Sequence, residues 1–325
     1  RIIPPLAALC ITLLVLGYFF LLTWDYKTLG RDIATSMSFV SSLMFSLKGD
    51  YFAVKDNFLL HTWSLSTEWQ FYIIYPLILL VLSKLITTKT LKTTVILMCF
   101  IGFIFSVFAT YKWPTPSYYL LPTRAWEMLL GGVAYLYPVK LSNTNKNICS
   151  TIGLVFIITS YLFITEAVPW PGYLALLPVL GTFLVILAQQ ADNKLFDNIL
   201  IQKIGLWSFS IYLWHWPIAV SYSYFHINDD YKFYGIFLSI VLGFLSFVLI
   251  ENRKRKIHPP IKEIGGYIVL IVVLSSMGAY IFKTQGIAQR ETLLSNPLIL
   301  GGTTNNFIIE EGVSLLNSHK EYDYL

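Results

Sequence analysis

The sequence predicts an all-α, polytopic transmembrane bundle of about nine spans, with one further segment that re-enters or lies at the interface. Three observations carry this. First, the 325 residues are 56% hydrophobic and only 13% charged, against a soluble average of about 25% charged. Second, the mean hydropathy is +0.63. Third, the apolar residues fall into runs near the length of a bilayer crossing, parted by short charged connectors.

In chain order the runs lie near 5–23, 69–86, 94–111, 125–139, 148–165, 172–189, 204–224, 234–250 and 264–282. Each crosses or nearly crosses where neighbours bury its ends. The stretch 33–47 is short and only moderately apolar, with six hydroxyl side chains, so it is expected at the interface or as a re-entrant segment. Trp113-Pro-Thr-Pro116 and Pro169-Trp-Pro-Gly172 read as turns with tryptophan at headgroup depth.

Charge bias orients the bundle. With 33–47 outside the count, Arg1, Lys84/Lys89/Lys92, Lys140/Lys146, Lys194/Lys203 and Arg253-Lys254-Arg255-Lys256 share one side. The positive-inside rule makes that side cytoplasmic and the C-terminal tail extracytoplasmic. The net charge of +5 is thereby a topological signal, and nucleic acid is not an expected partner. Cys10, Cys99 and Cys149 are too few and too widely spaced for a disulfide framework or a zinc site, and no metal is expected. Nothing resembles a Walker loop, a G-x-G-x-x-G turn, a G-x-S-x-G elbow or HExxH, so ATP-driven transport and zinc hydrolysis have no support.

Against this apolar background a few polar side chains stand out. His61 and Glu68 are seven residues apart, about two helical turns, which returns them to one face. An imidazole that titrates near neutral pH beside a carboxylate suits general-base removal of a hydroxyl proton; the alternative is a hydrated interfacial cap with Trp63 and Trp69 as anchors. Arg124 and Glu127 are i,i+3 neighbours at the outer start of a span, either a self-neutralising pair or a cation for an anionic group or developing oxyanion. His215 lies within a span among Ser208, Ser210 and Tyr212, as a satisfied core histidine or as the lining of a substrate path, with Pro217 freeing a carbonyl for it. Glu251 and the basic run after it read as a stop-transfer anchor that also attracts the phosphates of a cytosolic thioester donor.

The chain starts at Arg1 without a signal-peptide pattern and turns polar from about residue 284. It therefore reads as the middle of a longer protein, with a transmembrane domain over 1–283 and an extracytoplasmic linker over 284–325.

His61-Thr-Trp-Ser-Leu-Ser-Thr-Glu-Trp-Gln-Phe-Tyr72 closely resembles the HTWSLxxExQFY signature of the membrane acyltransferase-3 family, bacterial O-acyltransferases that modify surface polysaccharides. Arg1-Ile-Ile-Pro4 resembles the end of that family's arginine motif, Arg124-Ala-Trp-Glu127 its RxWE element, Ser208 to Pro217 its SYSLYLWHWP element, and Glu251-Asn-Arg253 the E-x-R end of a later helix. At Trp69 the chain departs from the glutamate that often follows the family's glutamate, and an upstream histidine of the family has no counterpart here.

The resemblance implies transfer of an acyl group, usually acetyl from acetyl-CoA, to a hydroxyl of a cell-surface polysaccharide or lipid-linked glycan at the bacterial inner membrane. It implies His61 and Glu68 as catalytic residues; with the family's upstream histidine as the base, His61 would position substrate and Glu68 would orient an imidazole or bind sugar. Trp63, Ser64, Arg124, Glu127, Ser210, Tyr212 and His215 would contact acceptor, and Arg1 and Arg253 the donor. Membrane lipid is an expected partner. The linker resembles one that leads, in a subgroup, to a fused or separate SGNH-like domain, whose GDSH motif does not occur before Leu325. A carrier or flippase for a glycolipid or acyl donor, and a non-catalytic scaffold, remain the competing readings.

Overall fold

The computed structural model describes residues 2–48, 57–165, 168–189, 197–252 and 261–287, and all regular structure among them is helical. The helices are α1 (Ile3–Phe20), α2 (Thr23–Met37), α3 (Ser41–Ser46), α4 (Thr62–Leu85), α5 (Thr88–Lys112), α6 (Pro114–Tyr119), α7 (Leu121–Leu136), α8 (Asn143–Phe163), α9 (Leu176–Ala188), α10 (Ile199–Tyr224), α11 (Lys232–Ser246) and α12 (Ile261–Lys283). A π-helical turn, Phe247–Glu251, extends α11.

Six of these elements are long and apolar enough to cross a membrane: α1, α4, α5, α8, α11 with its π turn, and α12. Helices also form at the other three expected spans, but α7 and α9 have only 16 and 13 residues and α10 carries more polar residues. Leu97, Phe100, Ile101, Ile104 and Phe108 form a stripe on α5, each more than half exposed. A contiguous apolar face of this kind is stable only against lipid or another apolar surface. The chain is a multi-pass membrane protein.

The chain divides into two compact units. The smaller, Ile2–Ala34 with Ile257–Leu325, contains α1, most of α2, and α12. Within it the Tyr26 hydroxyl donates to the Leu14 carbonyl at 3.3 Å, and Lys27 lies 4.3 Å from the Trp24 ring centroid.

The larger unit, Thr35–Lys256, is built on three extensive pairings, α8 with α9, α5 with α7, and α10 with α11. At the α8–α9 crossing a Cβ on Gly153 would come within 2.6 Å of the Gly181 carbonyl oxygen, and one on Gly181 within 2.7 Å of the Gly153 carbonyl oxygen. Both positions exclude a side chain, and backbone approach replaces hydrophobic drive as the source of association.

Two expectations need correction. The span expected at 69–86 starts at Thr62, so the polar signature forms the first turns of the helix. The 33–47 stretch, expected as one interfacial or re-entrant segment, is broken between the end of α2 and α3. The break falls at Phe39, which takes φ 55°, a left-handed conformation costly for a bulky residue. Phe39 is held there by stacking on Trp69, with centroids 4.3 Å apart and planes at 6°.

Candidate functional site

The first turns of α4 meet three neighbours, and helical spacing decides which side chain meets which. Thr62, Ser66 and Gln70, at i, i+4 and i+8, face the end of α2 and the start of α3. Thr62 Oγ1 pairs with Ser36 Oγ at 2.7 Å and Ser66 Oγ with Ser41 Oγ at 2.6 Å. Gln70 Nε2 donates to the Phe39 carbonyl and to Ser42 Oγ, both at 3.1 Å. The hydroxyls that made 33–47 look interfacial thus satisfy the polar residues of the signature, as burial requires.

A second face carries Trp63 and Thr67. Trp63 is buried with Phe45, Leu60 and Tyr119, and Thr67 Oγ1 donates to the Tyr119 carbonyl at 3.0 Å. The Arg124 guanidinium lies 5.3 Å from the Trp63 ring centroid, its Nη1 donates to the Tyr118 carbonyl at 3.4 Å, and its Nε is 2.8 Å from Glu127 Oε1. Arg124 and Glu127 therefore form the ion pair expected from their spacing, and the cation also covers the signature's first tryptophan.

The third face meets α10. The Tyr212 hydroxyl lies 2.6 Å from both the His61 carbonyl oxygen and Ser64 Oγ. His61, the residue before α4, is 3% exposed, and its ring lies 5.3 Å from Tyr212, 6.1 Å from His215 and 6.2 Å from Trp216 between centroids. Neither His61 nitrogen has a partner at full hydrogen-bond geometry; the Leu213 backbone lies beside the ring. Leu213 is four residues before Pro217, so the carbonyl that the proline leaves without a helical donor is the one next to His61. His215 instead donates Nδ1–H to the Tyr212 carbonyl at 2.7 Å, since a carbonyl can only accept.

The expected His61–Glu68 pair does not form through hydrogen bonding among the described residues. Glu68 is half-buried and lies one turn before Tyr72. Ser210 is fully buried and donates to Ser246 Oγ at 3.3 Å and to the Glu251 carboxylate. Glu251 is itself 7% exposed, on the π turn, and the basic run read with it as a stop-transfer anchor lies outside the described residues from Arg253 on. Arg1 and Arg253 lie outside the described residues. Among the described residues no three His, Cys, Asp or Glu side chains form a metal-binding group.

Sequence reasoning missed Asn57, whose carbonyl accepts from Trp216 Nε1 at 2.8 Å and whose Oδ1 accepts from the Leu59 amide at 2.9 Å. An Asn five residues before a helix is a turn signal, but nothing local identifies a tryptophan 159 residues away as its partner.

A family model described as an acyltransferase domain, of the acyltransferase-3 type, matches residues 1–252. The chain is 26% identical over 315 residues to the "Peptidoglycan O-acetyltransferase OatA" of Listeria monocytogenes, covering 89% of this chain and 49% of that protein. It is 27% identical over 266 residues to the "Putative membrane-bound transacylase BcsY" of Komagataeibacter xylinus, covering 78% and 66%. It is 29% identical over 322 residues to a "Putative O-acetyltransferase" of Staphylococcus aureus, covering 91% and 51%. The chain thus spans about half to two thirds of the length of these relatives, and no solved structure matches it. The His61–Tyr72 helix start, the Arg124–Glu127 pair and the Ser208–Pro217 helix converge in one unit, and the family match runs through all three: the chain belongs to the membrane acyltransferase-3 family.

Proposed function

We propose that the protein transfers an acyl group, acetyl by analogy with the named relatives, from a cytosolic thioester such as acetyl-CoA to a hydroxyl of a cell-surface or lipid-linked polysaccharide. The observation that carries this is the pair of neighbouring imidazoles, His61 and His215, one without a full hydrogen-bond partner and the other oriented by its Nδ1–H bond to a backbone carbonyl. In the reaction an imidazole accepts the acceptor's hydroxyl proton as the oxygen attacks the thioester carbon. The tetrahedral oxyanion then collapses, the C–S bond breaks, and the thiolate takes up the proton. Arg124 on the Trp63 face supplies a cation for the oxyanion or for an anionic sugar, with Glu127 limiting its charge in the resting state. Glu68, on the helix face shared with His61, binds sugar hydroxyls.

Mass spectrometry of surface polysaccharide before and after mild base, in cells carrying the full-length gene or its Glu68→Gln form, tests the proposal. Base-labile esters are expected with the wild type and at least tenfold fewer with the variant. Esters unaffected by deletion of the gene would sink the transferase reading in favour of a carrier.

The orientation belongs to the same proposal: nine spans, with Lys89 cytoplasmic and Thr165 extracytoplasmic at the bacterial inner membrane. In a Cys149→Ser background, a cysteine at position 165 is expected to react with an impermeant maleimide in intact cells, and one at position 89 only after lysis. Labelling of position 89 in intact cells would reverse the assignment.

A further inference from the structure

Between the end of α8 and the start of α9 lies a cavity of about 410 Å³, within the usual size of small-ligand sites. The two helices touch at Gly153 and Gly181, and the cavity occupies the space beyond that crossing, near Ser160, Tyr161, Thr165, Trp170 and Pro178. It shares one wall with the site described above. Tyr118 lines the cavity, while its ring lies 5.0 Å from Trp63 and its carbonyl accepts from Arg124.

Three features of the lining define what it takes. Three aromatic residues, Tyr118, Tyr161 and Trp170, present flat faces with polar edges, which suit the C–H faces and hydroxyls of a sugar ring. Ser160 donates its proton to the Phe156 carbonyl at 2.6 Å, so its oxygen is left as an acceptor for an incoming hydroxyl, and Thr165 adds a second hydroxyl. Among the described residues no charged side chain lines the cavity, and in particular no cation, which disfavours a phosphate, a diphosphate headgroup or a coenzyme A moiety.

Resting on the acyl-transfer reading, we propose that this cavity is a subsite for an uncharged pyranose unit of the acceptor glycan, neighbouring the unit that is acylated. Tyr118 then couples the subsite to the site: it stacks on the bound sugar on one side and supports Trp63 and Arg124 on the other. Acceptor length and the identity of a sugar remote from the reacting hydroxyl are read here.

The test uses membranes from cells expressing the full-length protein, labelled acetyl-CoA, and de-esterified surface polysaccharide from the same cells as acceptor. Tyr161 is 88% exposed, so Tyr161→Ala leaves the bundle intact. It is expected to raise the half-saturating acceptor concentration about fivefold, with the maximal rate within twofold of wild type. Tyr161→Phe and Trp170→Phe, which keep a ring, are expected to stay within twofold on both counts. Unchanged half-saturation in Tyr161→Ala and Trp170→Ala would overturn the subsite while leaving acyl transfer standing. A lowered maximal rate with unchanged half-saturation would make the cavity a lipid seat and also overturn it. Absence of transfer by the wild type would remove the underlying reading and the subsite with it.

Discussion

Cells carrying His61→Gln are expected to lose about 99% or more of the polysaccharide esters made by the wild type, since a positioned acid–base group contributes about 10²–10⁴ in rate. Glutamine keeps roughly the volume of the imidazole and so spares the packing against Tyr212, His215 and Trp216. What it removes is a group able to take up and release a proton. Tyr212→Phe separates chemistry from placement. It deletes the hydroxyl shared with Ser64 and the His61 carbonyl but no titrating nitrogen, and a loss of about tenfold or less is expected. The measurement is ester content per repeat unit by mass spectrometry, normalised to membrane-inserted protein. Wild-type ester levels in His61→Gln would show that this imidazole moves no proton, and would shift the role to His215.

The second large effect is on stability. Glu251→Ala is expected to lower the melting temperature of the detergent-solubilised full-length protein by about 2–3 °C, from a loss of about 2 kcal/mol. The carboxylate is buried at the end of a π turn and accepts from Ser210, which also donates to Ser246. Removing it leaves the buried Ser210 hydroxyl without its carboxylate partner. Glu251→Gln retains an acceptor and is expected to lie within about 1 °C of wild type. A Glu251→Ala protein that melts with the wild type would show that the carboxylate has no anchoring role.

Composition and the spacing of apolar runs determine an all-helical membrane protein, because only helices or closed barrels satisfy their backbone in lipid and the runs are too long for strands. The signature at His61–Tyr72 determines the family. Local spacing alone yields the Arg124–Glu127 pair, since i and i+3 side chains are neighbours on any helix. Pro217 likewise marks a freed carbonyl in advance, though not the group that it faces.

What the tertiary structure decided is partnership. Helical periodicity determines that His61 and Glu68 share a face, but not that α10 delivers His215 and Tyr212 to that imidazole from about 150 residues away. Ser210 reads as a lining residue from its own helix; packing of α10 on α11 buries it against Glu251 instead. The hydroxyls of 33–47 are polar for the interface in one dimension and become, in three, the partners of Thr62, Ser66 and Gln70. The physical reason is common to all three cases. In an apolar bundle a polar side chain must find another polar group, and the chain's own periodicity gives its direction while only helix packing supplies what stands there.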